Sequence, residues 1–337
     1  MIRVGIIGRS NLRMNYSGSI TDVSGITVGH HTDLENGTGC TVLLSEHNAV
    51  AGLEVRGAAP GSRDTELLHP VAGAKWINGV TLTGGSVFGL DSSGGAIRYL
   101  EEQGIGIKMG RIRVPLVPSA VIYDLGFINH RVRPDFNDGY AAAKSASVDF
   151  KTGCVGAGTG ATAAKVLGKR FSVKGGIGTA SVEVSNGATV GALMVVNAKG
   201  DVVNPETGET VAGPLTETGF DNSVELMIKR HWKETGFFRN TTLGIVATDA
   251  KLDKVGATRL AMAGQDGIAL AIRPAHTAND GDTIFGLSTG TYKEHTSGDT
   301  LHAAALKAVS EAIMNAIDSA ETLGGVLSAK DAKARFL

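Results

Sequence analysis

Apolar residues in this chain recur in short runs bounded by glycine, asparagine or aspartate, a pattern typical of β-strands. Some runs alternate with polar residues and others are continuous in Val, Leu and Ile, as expected for strands buried on one or both faces. The pair Asn186–Gly187 inside one such region predicts a tight hairpin turn. The predicted strands lie at residues 25–31, 39–45, 48–57 and 114–125, as three successive strands within 171–204, and at 241–250 and 282–290.

Other segments follow the spacing of amphipathic helices. The clearest spans residues 299–321, where Lys307 and Glu311 lie one turn apart on a polar side. The apolar face of this helix contains Leu301, Ala305, Ala308, Ala312 and Ala316. In a second helix, at 252–272, the residues available to a core are Leu252, Val255, Leu260 and Ala263. Further helices are predicted at 86–104, 135–148 and 222–232, and one that begins within 160–168.

Strands that come first and helices that interleave unevenly predict a layered α/β fold with a mixed sheet. Residues 204–240 mix Pro, Gly, Thr and Glu around the helix predicted at 222–232, so we expect this stretch to be a surface connector.

Composition excludes several classes of protein. The 337 residues are 42% hydrophobic and 19% charged, which is typical of a globular chain. The formal net charge of −1 and the lack of Lys/Arg runs argue against a nucleic-acid partner. No apolar stretch approaches the roughly 18 residues of a membrane span. Residues 1–15 show neither a sustained apolar stretch nor a small-residue cleavage site, so we expect a cytoplasmic location.

Cofactor and metal motifs are also missing from the sequence. The glycine-rich GAGTG at 156–160 resembles part of a dinucleotide-binding motif, but no clean strand precedes it and no suitable acidic residue follows it. The nine histidines are scattered, and Cys40 and Cys154 form no CxxC pair, so neither a metal site nor a disulfide framework is expected. We therefore expect no cofactor.

The stretch Asn240-Thr241-Thr242 is a candidate catalytic element, although an ordinary strand start has the same composition. If the bond between Asn240 and Thr241 is cut, Thr241 gains a free α-amino group beside its own hydroxyl. An unperturbed α-amino group has a pKa of about 7.7–8.0, so one residue then supplies both nucleophile and base. This chemistry needs no histidine.

Asp280 and Asp282 flank Gly281 just before the strand predicted at 282–290. A β-turn rich in turn-forming residues explains this arrangement equally well. As a functional element, the two carboxylates could orient the amine and hydroxyl of Thr241 and set their pKa values.

Six separated blocks together resemble the DmpA-type aminopeptidase family, which includes β-peptidyl aminopeptidases and nylon-oligomer hydrolases. The blocks are ITDVSGITVGHHTD, GGS…GLD, SAVIYDL, ALMVVNAKGDVVNPETG, NTTLGIVATDA and RPAHTANDGDTIFGLSTG. The resemblance implies a layered αββα sandwich of the DmpA/ornithine-acetyltransferase type and an N-terminal-nucleophile hydrolase. It also implies one layered domain, 1–337, that cuts itself into 1–240 and 241–337, and a homo-oligomer of the cut units.

The resemblance assigns roles to individual residues. It implies Thr241 as the nucleophile, with autocleavage between Asn240 and Thr241, and Asp280 and Asp282 as the polar pair beside it. Asn197 and Lys165 match residues that hold the reacting groups, and Tyr123 matches a tyrosine whose hydroxyl stabilises an oxyanion. The β-peptidyl and D-amino-acid branches use serine as nucleophile and a Ser/Glu pair, whereas threonine and two aspartates occur in the nylon-oligomer branch, as here.

The function predicted is hydrolysis of a small peptide or amide-oligomer substrate. Two alternatives stay open at this point. A threonine-nucleophile acyltransferase of the ornithine-acetyltransferase kind would use the same self-cleavage with an amine as acceptor, and a non-enzymatic single-chain binding protein would not be cut.

Overall fold

The structure, a computed structural model, describes residues 17–229 and 240–336. The helices of these residues are α1 Ser92–Glu102, α2 Phe136–Lys144, α3 Ser223–Lys229, α4 Lys254–Ala271, α5 Gly298–Asp318 and α6 Ala329–Ala334. The first strands are β1 Ile26–Asp33, β2 Thr38–Val55, β3 Ser62–Arg63, β4 Ile77–Thr83, β5 Ile107–Met109, β6 Ile112–Val114, β7 Ser119–Val121 and β8 Thr162–Ala163. The remaining strands are β9 Val173–Lys174, β10 Ile177–Glu183, β11 Thr189–Asn197, β12 Asp201–Val203, β13 Thr210–Ala212, β14 Thr241–Thr248, β15 Ile272–Arg273 and β16 Thr283–Ser288.

The main strands run in the order β10-β11-β14-β16-β2-β4-β7-β3, with β1 also paired to β2. The long β2 serves two sheets, because residues 50–55 pair with β16 whereas residues 38–44 pair with β1 and β4. Helices α4 and α5 cover the sheet that contains β14, and α1 and α2 cover the sheet that contains β4. The layers are therefore helix, sheet, sheet and helix, which confirms the predicted αββα sandwich.

Successive side chains of β14 point alternately into two apolar cores. Leu243, Ile245 and Ala247 belong to the apolar cluster between the sheets, together with residues of β2, β4 and β16. Val246 points to the other side and packs with α4 and α5. All eight residues of this strand are buried, as expected for a strand in the middle of a sheet covered on both faces.

Small residues let the helices lie close to the sheet. The five apolar residues predicted to form a face of α5 are all buried, which confirms that prediction. The predicted pair of Lys307 and Glu311 is also present, with Nζ and Oε1 3.0 Å apart. On the facing strand β10, a Cβ added to Gly178 would lie 2.2 Å from the carbonyl oxygen of Ala312. This glycine therefore sets the distance between α5 and β10.

Three strand predictions are wrong in extent. The strands predicted at 39–45 and 48–57 form one continuous strand, and an irregularity between Leu44 and Ala49 absorbs the polar residues between them. The strand predicted at 114–125 is reduced to Ser119–Val121. Pro115 and Pro118 precede it, and proline has no N–H to donate to a ladder.

Two helix predictions also need correction. The helix expected to begin within 160–168 is only a 3-10 turn at Lys165–Leu167, because Ala164 takes a left-handed conformation with φ of 57°. Val255 is 53% exposed on the solvent side of α4, whereas Leu260 and Ala263 are buried as expected. The last three residues of the helix predicted at 222–232 and most of the end of the predicted connector lie outside the described residues.

Two strands that follow residue 240, β14 and β16, lie inside the main sheet between strands of the earlier part of the chain. β14 pairs with β11 on one side and with β16 on the other, and β16 in turn pairs with β2. None of the helices in 17–229 and 240–336 has the length and apolar character needed to cross a membrane.

We expect Gly178→Ala to destabilise the protein by about 1–3 kcal/mol, because the added methyl group must push α5 away from β10. Thermal unfolding followed by circular dichroism should show a midpoint lowered by several degrees. Gly298→Ala is the matched control, since an added Cβ at the start of α5 has no neighbour within 4 Å. Equal midpoints for the two variants would show that α5 can shift freely.

Candidate active site

Thr241 is the first residue of β14, and the antiparallel register places it opposite Asn197 of β11. Its side chain is largely enclosed, with the residue only 5% exposed. The hydroxyl donates a hydrogen bond of 2.5 Å to the carbonyl oxygen of Asn240. The same oxygen accepts a hydrogen bond of 3.1 Å from the N–H of Gly281. The peptide group before Thr241 thus lies between a hydroxyl and a backbone donor.

Asp282 is buried directly beside this junction. Its Oδ1 accepts a 2.7 Å hydrogen bond from the N–H of Thr242. Its Oδ2 accepts from the N–H of His276 at 3.0 Å and contacts Nδ1 of the same histidine at 2.9 Å. The carboxylate therefore ties β14 to the loop that precedes β16.

Asp280 precedes Gly281 in the chain, whereas Asp282 follows it. Its Oδ2 accepts a hydrogen bond of 2.8 Å from the N–H of Thr277, and its backbone forms a bridge with Asn240. Burial raises the pKa of Asp280 above its usual range, and the nearby charge of Asp282 raises it further. Asp280 therefore holds a proton more readily than an exposed aspartate.

Position 281 requires glycine because the backbone of Ala59 and the side chain of Thr241 lie close to it. A Cβ at this position would lie 2.5 Å from the carbonyl oxygen of Ala59 and 3.0 Å from Oγ1 of Thr241. A side chain would thus collide with backbone and crowd the hydroxyl.

Lys165 reaches the site from the 3-10 turn after β8. Its Nζ donates to Oδ1 and to the backbone oxygen of Asn197, at 2.6 and 2.8 Å. Burial lowers the pKa of Lys165 to about 7, although the charges of Asp280 and Asp124 oppose that change. This lysine is therefore poised to titrate near neutral pH.

Asn197 connects the lysine with Tyr123. Its Oδ1 also accepts a 3.2 Å hydrogen bond from the N–H of Thr162, and its Nδ2 donates to the carbonyl oxygen of Tyr123 at 3.4 Å. Tyr123 thus contacts the cluster through its backbone, and its ring is half-buried. The expected role of the Tyr123 hydroxyl stays a prediction.

The structure brings five of the expected residues into one network around the Asn240–Thr241 junction: Thr241, Asp280, Asp282, Asn197 and Lys165. Two groups that the sequence interpretation overlooked also belong to it, namely His276 and the N–H of Gly281, and the charge of Asp124 acts on Lys165. Asp124 accepts from the Thr38 hydroxyl at 2.8 Å and the Gly85 N–H at 2.7 Å, and burial raises its pKa to about 6. The sequence signal for His276 was its position six residues before Asp282.

Within the described parts of the chain, no group of three or more His, Cys, Asp and Glu residues has the arrangement of a metal site.

Comparison with known proteins gives consistent matches over most of the chain. The family described as peptidase family S58 matches residues 18–330. An uncharacterized aminopeptidase of Mycobacterium leprae is 38% identical over 346 aligned residues, covering 91% of this chain and 92% of that protein. A 6-aminohexanoate-oligomer endohydrolase of Kocuria sp. is 28% identical over 294 residues, covering 86% and 78%.

A solved structure shows the same fold. It is the L-aminopeptidase D-Ala-esterase/amidase of Ochrobactrum anthropi, described as a new variant of the Ntn hydrolase fold. It matches with a TM-score of 0.70 and 21% sequence identity, covering 95% of this chain and 94% of that one.

The lowered pKa of Lys165 predicts a dependence of stability on pH. Between about pH 7 and pH 10.5 the unfolded chain holds a proton on Lys165 that the folded chain has released. The free energy of unfolding should therefore rise with pH, by up to about 1.4 kcal/mol per pH unit from this group. Lys165→Met should remove that share of the slope.

The measurement is urea unfolding between pH 7 and pH 10 in a Thr241→Ala background, which avoids any cut at the junction. Lys151→Met, at an exposed position, controls for the loss of a lysine. A Lys165→Met slope equal to that of the control would mean that Lys165 keeps its proton on folding.

Proposed function

The chain belongs to peptidase family S58 and is a hydrolase of peptide or amide bonds, and from this premise we propose that it cuts itself between Asn240 and Thr241 and then uses Thr241 as its nucleophile. The observation that carries the proposal is the contact of 2.5 Å between the Thr241 hydroxyl and the Asn240 carbonyl oxygen, beside two buried carboxyl groups and a half-buried lysine.

Self-cleavage proceeds as an acyl shift. Oγ1 of Thr241 attacks the carbonyl carbon of Asn240, and the N–H of Gly281 donates to the oxygen that becomes negative. The C–N bond then breaks, the proton from the hydroxyl goes to the departing nitrogen, and Asn240 is left as an ester on Oγ1. Water hydrolyses this ester, which frees the carboxylate of Asn240 and the α-amino group of Thr241.

Turnover uses the same hydroxyl with a substrate amide. The α-amino group of Thr241, with an unperturbed pKa of about 7.7–8.0, takes the hydroxyl proton directly or through water. The oxygen attacks the substrate carbonyl, the leaving amine takes the proton, and water hydrolyses the acyl-enzyme. The Tyr123 hydroxyl is the proposed hydrogen-bond donor to the oxyanion of this step. One donor of this kind typically increases the rate by about 10²–10³-fold.

The remaining polar residues keep these groups in place. Asp282 holds the N–H of Thr242, next to the nucleophile, and Asp280 lies at the neighbouring backbone bridge. Lys165 donates a hydrogen bond to Asn197, which is paired with Thr241 across the two strands. Preorganised donors and charges of this kind lower the cost of the charge that develops in the transition state.

The two products of self-cleavage, 1–240 and 241–337, remain associated under this proposal. β14 and β16 of the second piece pair with β11 and β2 of the first, so separation would expose two ladders and both cores. A homo-oligomer of cut units and a cytoplasmic location belong to the same proposal. Native mass spectrometry of the cut protein tests the assembly.

We propose short peptides or linear amide oligomers as the substrates. The Mycobacterium leprae relative is named an aminopeptidase, and the Kocuria relative is named for 6-aminohexanoate oligomers. Thr241 with Asp280 and Asp282 corresponds to the threonine-type pattern rather than to the serine type. Hydrolysis rates measured on a panel of short peptides and linear amide oligomers would show which of the two classes is the substrate.

Freshly purified protein should give two denatured masses, for 1–240 and 241–337, and Thr241→Ala should give one intact mass and no amide hydrolysis. Thr241→Val tests the hydroxyl at constant shape, and Thr242→Val is the matched control on the next, equally buried threonine. The control should still be cut. Cleavage at this bond in Thr241→Ala would remove Thr241 as the nucleophile.

Asp282→Asn should keep the fold but slow self-cleavage or turnover on the order of 10²-fold, since the amide holds the Thr242 N–H less strongly and carries no charge. The measurement combines the fraction cut over time with a thermal melt of the same sample. Wild-type rates in this variant would show that the carboxylate has no part in the reaction.

A further inference from the structure

His276 is a half-buried histidine that the proposed mechanism does not use, although it touches the site. It lies in the loop between β15 and β16, and its side chain is 18% exposed. Its backbone takes a left-handed conformation with φ of 57°, which is uncommon for a residue other than glycine. In that conformation both its backbone N–H and its ring reach the same oxygen of Asp282.

The contacts of the ring indicate how many protons it carries. Nε2 lies 3.3 Å from the carbonyl oxygen of Gln265, which can only accept, so Nε2 is the donor. Nδ1 lies 2.9 Å from Oδ2 of Asp282, which already accepts from the backbone of His276. Both ring nitrogens thus face acceptors, and only the doubly protonated ring satisfies both.

We propose that His276 is a positioning residue whose doubly protonated ring holds Asp282 as an anionic acceptor and leaves Asp280 as the carboxyl group that gains and loses a proton. This inference rests on the proposed function, because it assigns different roles to the two carboxyl groups of that site.

The surroundings of the two carboxyl groups support the division. Asp282 contacts the His276 ring, whereas Asp280 accepts from the N–H of Thr277 and is influenced by the charge of Lys165. Two acidic groups this close do not both ionise freely. A cation bound to one of them fixes which of the two carries the negative charge.

A further charged group that acts on His276 is Arg56, the residue after β2. Arg56 is itself paired, with Nη1 3.0 Å from Asp266 and Nε 3.3 Å from Glu54. From α4 the ring meets the neutral Gln265. Burial lowers the pKa of His276, but the hydrogen bond and charge of Asp282 outweigh burial, and the pKa is raised above its ordinary value of 6.5.

Loss of the His276 cation should shift the pH dependence of the reaction in a defined direction. Without the histidine cation, the charge of Asp282 is uncompensated, so Asp280 and the Thr241 ammonium each hold their protons more tightly. The acid limb of the rate profile should therefore move to higher pH. A purely structural role for His276 would lower the rate or the stability without moving that limb.

The first test needs no activity. Ring NMR signals of Thr241→Ala protein are followed from pH 4 to pH 9, and the His276 signal is assigned by its loss in His276→Asn. We expect a midpoint above 6.5 that falls when Asp282→Asn is added, because the charge of Asp282 that raises the pKa of His276 is then removed. A midpoint below 6.5, or one that Asp282→Asn leaves in place, overturns the inference.

The second test measures the pH dependence of kcat/KM of cut protein on an amino-acid p-nitroanilide and on a linear 6-aminohexanoate oligomer. His276→Asn is the variant, because asparagine tolerates the left-handed backbone and keeps a donor for Asp282. We expect its acid limb to lie roughly half to one pH unit above that of wild type. An unmoved limb overturns the inference.

His302→Asn is the matched control, since His302 also faces an aspartate, Asp266 at 3.5 Å, but on the surface. Its profile should coincide with that of wild type, and a limb shifted as far as in His276→Asn would overturn the assignment to His276. If wild-type protein is neither cut nor active, the proposed function fails, and the NMR titration still decides the pairing of His276 with Asp282.

Discussion

The position of β14 between β11 and β16 is the constraint on which the site depends. The antiparallel ladder with β11 sets Thr241 opposite Asn197, and the parallel ladder with β16 brings Asp282 beside Thr242. A slip of one residue would turn the hydroxyl from the inter-sheet side to the helix side, because side chains alternate along a strand. The continuous burial of β14 on both faces fixes this register, so the same packing that stabilises the fold also orients the Thr241 hydroxyl.

The network around the junction is held together at a cost to stability. Taking Lys165, Asp280 and Asp282 out of water is unfavourable unless each finds partners. Asn197 satisfies the lysine, backbone N–H groups satisfy the carboxyl groups, and the ring of His276 lies against Asp282. Perturbed titratable groups concentrated at one end of the sandwich are typical of a reactive centre, and here each perturbation has an identified partner.

The sequence predicted the layers because their patterns are local. The apolar run of β14 and the alanine face of α5 have the spacing that their elements require, and both are found as expected. The extent of β2 was not predictable in this way, since polar residues 46–48 interrupt it and only tertiary pairing carries the strand across. Lys165 was assigned to a helix for a similar reason, because nothing local signals the left-handed Ala164. Thr241, Asp280 and Asp282 were candidates from the local sequence, and the family resemblance added Asn197, Lys165 and Tyr123. The contacts of His276 and Gly281 needed the three-dimensional arrangement of the loop.

Under the proposed mechanism, a cut before the first residue of the buried strand β14 leaves the new amino terminus inside the site. The hydrogen bond from the Thr242 N–H to Asp282 does not involve the bond that breaks, so it can hold the freed end of β14 in place. Before the cut, the Asn240 carbonyl occupies the position between the Thr241 hydroxyl and the Gly281 N–H. Under the proposed mechanism a substrate carbonyl must reach the same hydroxyl, and it can do so only after the Asn240 carboxylate has moved away. Self-cleavage is then the first turnover of the site, with residue 240 as the acyl group, and one arrangement of donors serves both reactions.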